Sequence, residues 1–203
     1  MKTSTIIHQD QSFKVDLDAP VDISLPIRRQ HNVNAFFLDD PQFKTVKAGS
    51  FVGDVNQGGS CNVENIALSP HGNGTHTECI GHISKEHQTI LESLQAFHFI
   101  AALISVPIDG ENNDRFIPAD ALSSKLNSLP QIPEALIIRT LPNDSEKRSK
   151  VYSGNHPPYL SHSAASVIAD YKIEHLLIDL PSLDHEEDPN LAAHHTFFGY
   201  PAE

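Results

Sequence analysis

The chain has 203 residues, 39% hydrophobic and 20% charged, which is enough for one soluble domain with a core of its own. With 26 Asp plus Glu against 14 Lys plus Arg, its net charge of −12 opposes phosphate backbones and excludes nucleic acid as an expected partner. No apolar run approaches the length of a membrane span, the N-terminus lacks the apolar stretch of a signal peptide, and Cys61 and Cys79 are too few for a disulfide framework, so a cytoplasmic protein with reduced thiols and no membrane contact is expected.

Residues 1–18 are polar and read as an N-terminal arm; residues 19–203 read as one domain, without an internal repeat or a dividing linker. Val21–Ile27 alternates and predicts a strand. His31–Gly59 reads as loop, with Asp39-Asp40-Pro41 and Gly58-Gly59 as turn signals. Val63–Leu68 leads directly into a histidine cluster. Ile100–Ile108 is an almost continuous apolar run and predicts a buried strand. Pro118 opens a helix, because proline is favoured in a first turn. Ala135–Thr140 is a second buried strand, and Lys147–Pro158 a polar surface loop. Ser161 is an N-cap for a helix to about Tyr171. His175–Leu180 is a third strand, with Asp179 near its end, and Asn190–Phe198 a short helix. Short apolar runs separated by helices predict an α/β domain whose sheet is mixed and partly parallel, flanked by helices.

The cluster is Ser-Pro-His-Gly-Asn-Gly-Thr-His-Thr-Glu-Cys-Ile-Gly-His, residues 69–82. Imidazole and carboxylate together suit zinc, manganese or iron. His76, Glu78 and His82 share even parity, so on an extended segment they face one side. On a helix His76 and Glu78 would sit on nearly opposite faces, so the spacing predicts a ligand pair on a strand. His82 is six residues beyond His76, roughly 20 Å if the chain were straight. It joins the site only through a bend, which Gly81 permits. Gly72-Asn73-Gly74 is a tight turn able to fold His71 back toward His76. A single histidine in such a segment is more often structural; the three side chains together with the glycines favour a metal. Thr75 is either a strand residue or a hydroxyl that orients a ligand. Cys79 has odd parity and is expected in core packing, and neither cysteine has the Cys-x-x-Cys partner of a zinc site. A divalent ion here would lower the pKa of bound water to roughly 7, and a neighbouring histidine could move protons.

Gly74-Thr75-His76-Thr77-Glu78-Cys79-Ile80-Gly81-His82 resembles the His-x-Gly-Thr-His-x-Asp-x-Pro-x-His signature of the putative cyclase family, which includes bacterial kynurenine formamidase and isatin hydrolase. Asp22–Pro26, Leu136–Thr140, Leu177–Asp184 and Leu191–Phe198 resemble that family's opening strand, central strand, Ile-Asp-x-Pro-Ser-x-Asp segment and late histidine motif, in the same order. The resemblance implies a swivelling β/β/α fold and a divalent Zn or Mn cofactor. It further implies His71, His76, Glu78 and His194 as metal ligands, with His195 the alternative to His194, and His82 as acid/base catalyst. It implies a homodimer or homotetramer acting on a small molecule. The implied reaction is hydrolysis of an amide, formamide or lactam, as in an arylformamidase of tryptophan catabolism, by attack of metal-bound hydroxide. A cyclase or dehydratase on the same scaffold and a non-enzymatic metal-binding or ligand-binding member are the alternatives.

Four features depart from the family pattern. His71 and His76 are five positions apart instead of the usual four. Glu78 stands where the family has aspartate, and Ile80 where it has proline. The sequence as given ends at Glu203, before the family's last metal-binding glutamate: either the chain is truncated, or the second metal is lost, or Asp179 or Asp184 is the acidic alternative. Phe36, Phe37 and Tyr159 are candidates to line an aromatic pocket.

Overall fold

The computed structural model describes residues 2–201; Glu203 lies outside the described residues. In chain order the elements are β1 (Thr3–His8), β2 (Gln11–Asp16), β3 (Gln42–Thr45), β4 (Lys47–Ala48), β5 (Phe51–Val52), β6 (Glu64–Ala67), α1 (Pro70–Asn73) and α2 (Ile90–Ser93). They continue with β7 (Ala101–Pro107), β8 (Asp109–Glu111), β9 (Asp114–Ile117), α3 (Ala119–Asn127), β10 (Ala135–Leu141), β11 (Tyr159–Leu160), α4 (His162–Asp170), β12 (His175–Ile178) and α5 (Ala192–Phe198).

The centre is a parallel sheet in the order β12-β10-β7. Its strands are the three apolar runs visible in the sequence, and the alternation along them has a structural consequence. Ile104 and Val106 of β7 and Leu136 and Ile138 of β10 point to one side and are buried. On that side they meet Leu122 and Leu126 of α3 and Ala164, Ala165 and Ile168 of α4, which recur at helical spacing along one stripe of each helix. The opposite face carries Leu103, Arg139 and Leu177 and is open. A second sheet, β11-β9-β8, is mixed: β9 pairs parallel with β11 and antiparallel with β8. The architecture is therefore mixed α/β with a partly parallel sheet, as the sequence predicts.

Helix α4 begins where its cap chemistry says it should. Ser161 Oγ accepts a hydrogen bond from the Ala164 amide at 3.2 Å and satisfies a first-turn donor. At the carboxyl end of the sheet, Asp179 accepts from the Thr140 amide at 3.0 Å and from Lys147 Nζ at 2.8 Å. That carboxylate ties β10 and the end of β12 to the 3₁₀ turn Ser145–Ser149.

Three expectations are corrected. Residues 21–27 form no strand: the Asp22 carboxylate takes the Ser24 amide at 2.8 Å and its hydroxyl at 2.7 Å, a local turn that replaces a ladder, and Val21 and Ile23 stay exposed. The stretch 31–59 is not all loop. It holds β3, which pairs antiparallel with β6 from beyond the stretch, and the short β4-β5 pair. The His76–Glu78 segment is extended at its ends, at Gly74 and Cys79, but belongs to no sheet. The polar N-terminal residues form the β1-β2 hairpin.

Candidate metal centre

The first ligand segment is built by a clamp. Asn73 is buried; its Oδ1 accepts the Ser69 amide at 2.9 Å and its Nδ2 donates to the Asp39 carbonyl at 3.1 Å. These bonds close the single turn of α1, from which His71 projects. Gly72 is needed there because a Cβ would lie 2.9 Å from the Ala35 carbonyl oxygen. The Ala35 amide in turn donates to the Gly72 carbonyl at 3.1 Å. After the turn, Thr75 Oγ1 accepts the Leu25 amide at 2.9 Å, so this hydroxyl anchors the N-terminal segment rather than a ligand.

The chain then bends. A 3₁₀ turn spans Ile80–His82, and Gly81 sits against Gln88, where a Cβ would lie 2.0 Å from the carbonyl oxygen. The bend swings His82 back over the earlier residues. His71 and His82 stack with ring centroids 4.6 Å apart, and His71 meets His76 edge-on at 4.8 Å. Both local folds anticipated from the glycines, at Gly72-Asn73-Gly74 and at Gly81, are present.

Glu78 lies at the centre. Its Oε2 is 3.6 Å from His71 Nδ1, 3.8 Å from His76 Nε2 and 3.8 Å from His82 Nε2, and its Oε1 is 3.0 Å from His194 Nε2. Only the His194 contact is within hydrogen-bond range; the others are spacings between donors facing a shared space. Two groups of ligand atoms result, His71-His76-Glu78 and Glu78-His82-His194, each with its atoms within 4.8 Å of one another. Glu78 belongs to both.

His194 arrives from α5 and is 3% exposed. Its Nδ1 is hydrogen-bonded to the buried Asp184 carboxylate and its Nε2 faces Glu78. His195 points elsewhere, with Nδ1 2.7 Å from the Tyr200 carbonyl oxygen. Of the acidic alternatives, Asp184 reaches the site through His194, and Asp179 is engaged with Thr140 and Lys147. Cys79 is not in the core: it is half-buried, with Sγ 3.7 Å from the Gln88 carbonyl oxygen. Cys61 is exposed, and neither cysteine belongs to a ligand group. Phe37 is exposed, and the Tyr159 hydroxyl donates to Asp114. Two cavities of about 290 and 270 Å³ flank α5, but none of His71, His76, Glu78 and His82 lines either.

The electrostatics suit cation binding. Burial, the largest single influence on Glu78, pushes its carboxyl up. The hydrogen bond of His194, the neighbouring His76 imidazole and the charges of His82 and His194 together outweigh it, so the group stays well below the usual carboxylate range. Burial and the neighbouring imidazoles push His71 down, which keeps a lone pair available. The pairing with Glu78 pushes His76 up, assisted by the Gly74 carbonyl and opposed by burial. Burial lowers His194, but Asp184 and Glu78 outweigh it and raise it to about 9. An ionised carboxylate surrounded by imidazoles is a nitrogen-and-oxygen donor set of the kind that holds Zn²⁺ or Mn²⁺. The residues therefore fit a divalent ion.

The signal for the contribution of Asp184 was its place in the Asp-x-Pro-Ser-x-Asp run; the sequence offered no sign that it grips His194. A family model described as Putative cyclase matches residues 21–185. The match takes in His71, His76, Glu78, His82 and Asp184 and stops before α5. No curated protein matches the chain.

Proposed function

The chain belongs to the Putative cyclase family, and from that premise we propose that it is a metal-dependent hydrolase of a small amide, formamide or lactam. The observation that carries the reading is the position of Glu78 among His71, His76, His82 and His194. In this reading His71, His76, Glu78 and His194 hold Zn²⁺ or Mn²⁺, and His82 is the acid/base. A divalent ion in such a site makes water acidic enough to ionise near neutral pH and polarises a carbonyl oxygen.

The chain's own residues supply the rest. Glu78, ionised, faces His71, His76 and His82 with Oε2 and His194 with Oε1. His71, kept neutral by burial and by its neighbours, offers Nδ1 on the Glu78 side. His76 points Nε2 inward because Nδ1 is held 3.0 Å from the Gly74 carbonyl oxygen. His82 lies over His71 and is 31% exposed, so it can exchange protons with solvent. There it takes a proton from the attacking water and returns it to the departing nitrogen. The half-buried setting of the cluster strengthens each of these electrostatic contacts relative to open water.

The test is metal analysis coupled to turnover. Protein loaded with Zn²⁺ or Mn²⁺ should hydrolyse an aryl formamide such as N-formylkynurenine and lose activity on chelation. Stoichiometric metal without turnover on formamides, amides or lactams would leave a metal-binding member that is not a hydrolase. Absence of bound metal after loading would remove the reading altogether.

A further inference from the structure

We propose that Asp184 is the positioning residue of the candidate metal centre: it holds the proton of His194 on Nδ1 and so presents Nε2 as a donor atom beside Glu78. The inference rests on the metal-centre reading above and assigns a role that the ligand set alone does not contain.

Asp184 is 4% exposed, and a buried carboxylate needs compensation from every side. Its hydrogen bonds reveal what it holds. Oδ1 accepts the Ala193 amide at 2.5 Å; Oδ2 accepts the His194 amide at 3.2 Å and also faces His194 Nδ1. All three partners are atoms of two consecutive residues at the start of α5. The described ion pairs give it no lysine or arginine, only His194. Its own amide donates to Ser182 Oγ at 3.0 Å, which fixes the carboxylate from behind. A carboxylate with both oxygens engaged at the start of α5 is poorly placed to serve as a ligand itself.

The grip is on backbone and ring together. Leu191, at the N-cap of α5, is left-handed (φ 47°, ψ 47°) and makes no side-chain cap. Asp184 supplies the acceptor for the Ala193 and His194 amides, while Asp188 takes that of Ala192 at 3.3 Å, and together they fix where the helix begins. The same carboxylate then fixes the imidazole relative to that helix. An imidazole with its proton held on Nδ1 can offer a lone pair only from Nε2. Nε2 is the atom that lies 3.0 Å from Glu78 Oε1.

Two neighbours show the contrast. His195, one residue on, is oriented by the Tyr200 carbonyl and turns away from the cluster. His76 has its Nδ1 near a neutral acceptor, the Gly74 carbonyl. Among the described residues, only His194 of the cluster histidines has a carboxylate behind the ring. A charged acceptor both orients a metal-binding histidine and makes its donor nitrogen more basic than a carbonyl does.

The experiment compares wild type with Asp184→Asn and Asp184→Ala, using Co²⁺ alone as the probe. Co²⁺ affinity is measured by chelator competition and ligand geometry from the visible absorption of the bound ion. Folding is checked by circular dichroism. Wild type should bind Co²⁺, and folded Asp184→Asn should bind it roughly 10–100-fold more weakly, with an altered spectrum. In Zn²⁺-loaded wild type, nitrogen-resolved NMR should show a slowly exchanging proton on Nδ1 of His194. This second readout stands even if the variants fail to fold. Equal Co²⁺ affinity in wild type and folded Asp184→Asn overturns the role of Asp184 and leaves the metal centre standing. So does a His194 proton on Nε2. If wild type binds no Co²⁺, the metal-centre reading fails and this role fails with it.

Discussion

His194 Nε2 lies 3.0 Å from Glu78 Oε1, although the two residues are 116 positions apart. The contact joins α5 to the histidine-rich segment and makes the cluster a tertiary object instead of a local motif. Without metal it is a pairing of imidazolium with carboxylate. Because His194 rises from 6.5 to about 9, its contribution to stability is complete below about pH 6.5 and disappears as pH climbs through 9. The loss should be on the order of 3 kcal/mol, because the ring is almost fully buried and each pKa unit corresponds to about 1.4 kcal/mol. Urea unfolding of chelator-treated protein at pH 6.5 and pH 9.5 measures it. A bound ion replaces the Nε2 proton, so metal-loaded protein should show little of this loss, and metal affinity should rise over the same pH interval. Equal unfolding midpoints at the two pH values in metal-free protein would show that the pair is not ionised.

The clamp beneath His71 predicts a stability defect with a functional consequence. Asn73→Ala removes the acceptor for the Ser69 amide and the donor for the Asp39 carbonyl, both in a largely buried setting. Leaving such groups unpaired costs about 1–3 kcal/mol each. The unfolding free energy should therefore fall by roughly 2 kcal/mol or more. Metal affinity should fall as well, because the turn that presents His71 loosens. An Asn73→Ala protein with wild-type midpoint and affinity would mean that water replaces both bonds without cost.

The bend at Gly81 makes a sharper case. Its Cβ position falls 2.0 Å from backbone, the Gln88 carbonyl oxygen, which no side-chain rotation can relieve. Gly81→Ala must separate the two segments, and His82 moves with them. A destabilisation of about 1–3 kcal/mol is expected, typical of overpacking, together with a drop in turnover. Thermal unfolding measures the first and single-turnover kinetics the second. Unchanged behaviour in both would show that the 80–88 loop adapts freely.

The parts of this molecule that were legible in advance are those whose cause is local. β7, β10 and β12 are short apolar runs that form a parallel sheet whose one face is covered by α3 and α4, and α4 starts after a serine because its first amides need an acceptor. The two bends in the ligand segment were legible because glycine marks close backbone approach. What could not be read lies in long-range choices. Asp22 could have continued a strand but its carboxylate captures Ser24 instead. Phe43 and Ile66 pair across β3 and β6, which no local pattern announces. His76 Nε2 and Glu78 Oε2 lie 3.8 Å apart although no sheet holds the segment between them. The resemblance favours His194 over His195; the physical cause appears only in the fold, where Asp184 and Tyr200 take one ring each.

The division of labour among the histidines is the remaining prediction. His76 and His82 both stand 3.8 Å from Glu78 Oε2. They differ in what holds them. His76 is oriented by the Gly74 carbonyl, with Nε2 directed inward. His82 rests on the face of His71 with no described hydrogen bond to either ring nitrogen, and that freedom suits a group that must exchange protons. His76→Ala should therefore lose metal and turnover together, since a proposed ligand is gone. His82→Ala should keep metal to within a few-fold and lose turnover by about 10²–10⁴-fold, the usual worth of a positioned acid/base. Metal content after dialysis and kcat on the same samples decide the matter. If both variants lose metal equally, His82 is a ligand of the Glu78-His82-His194 group, and the acid/base must be sought elsewhere.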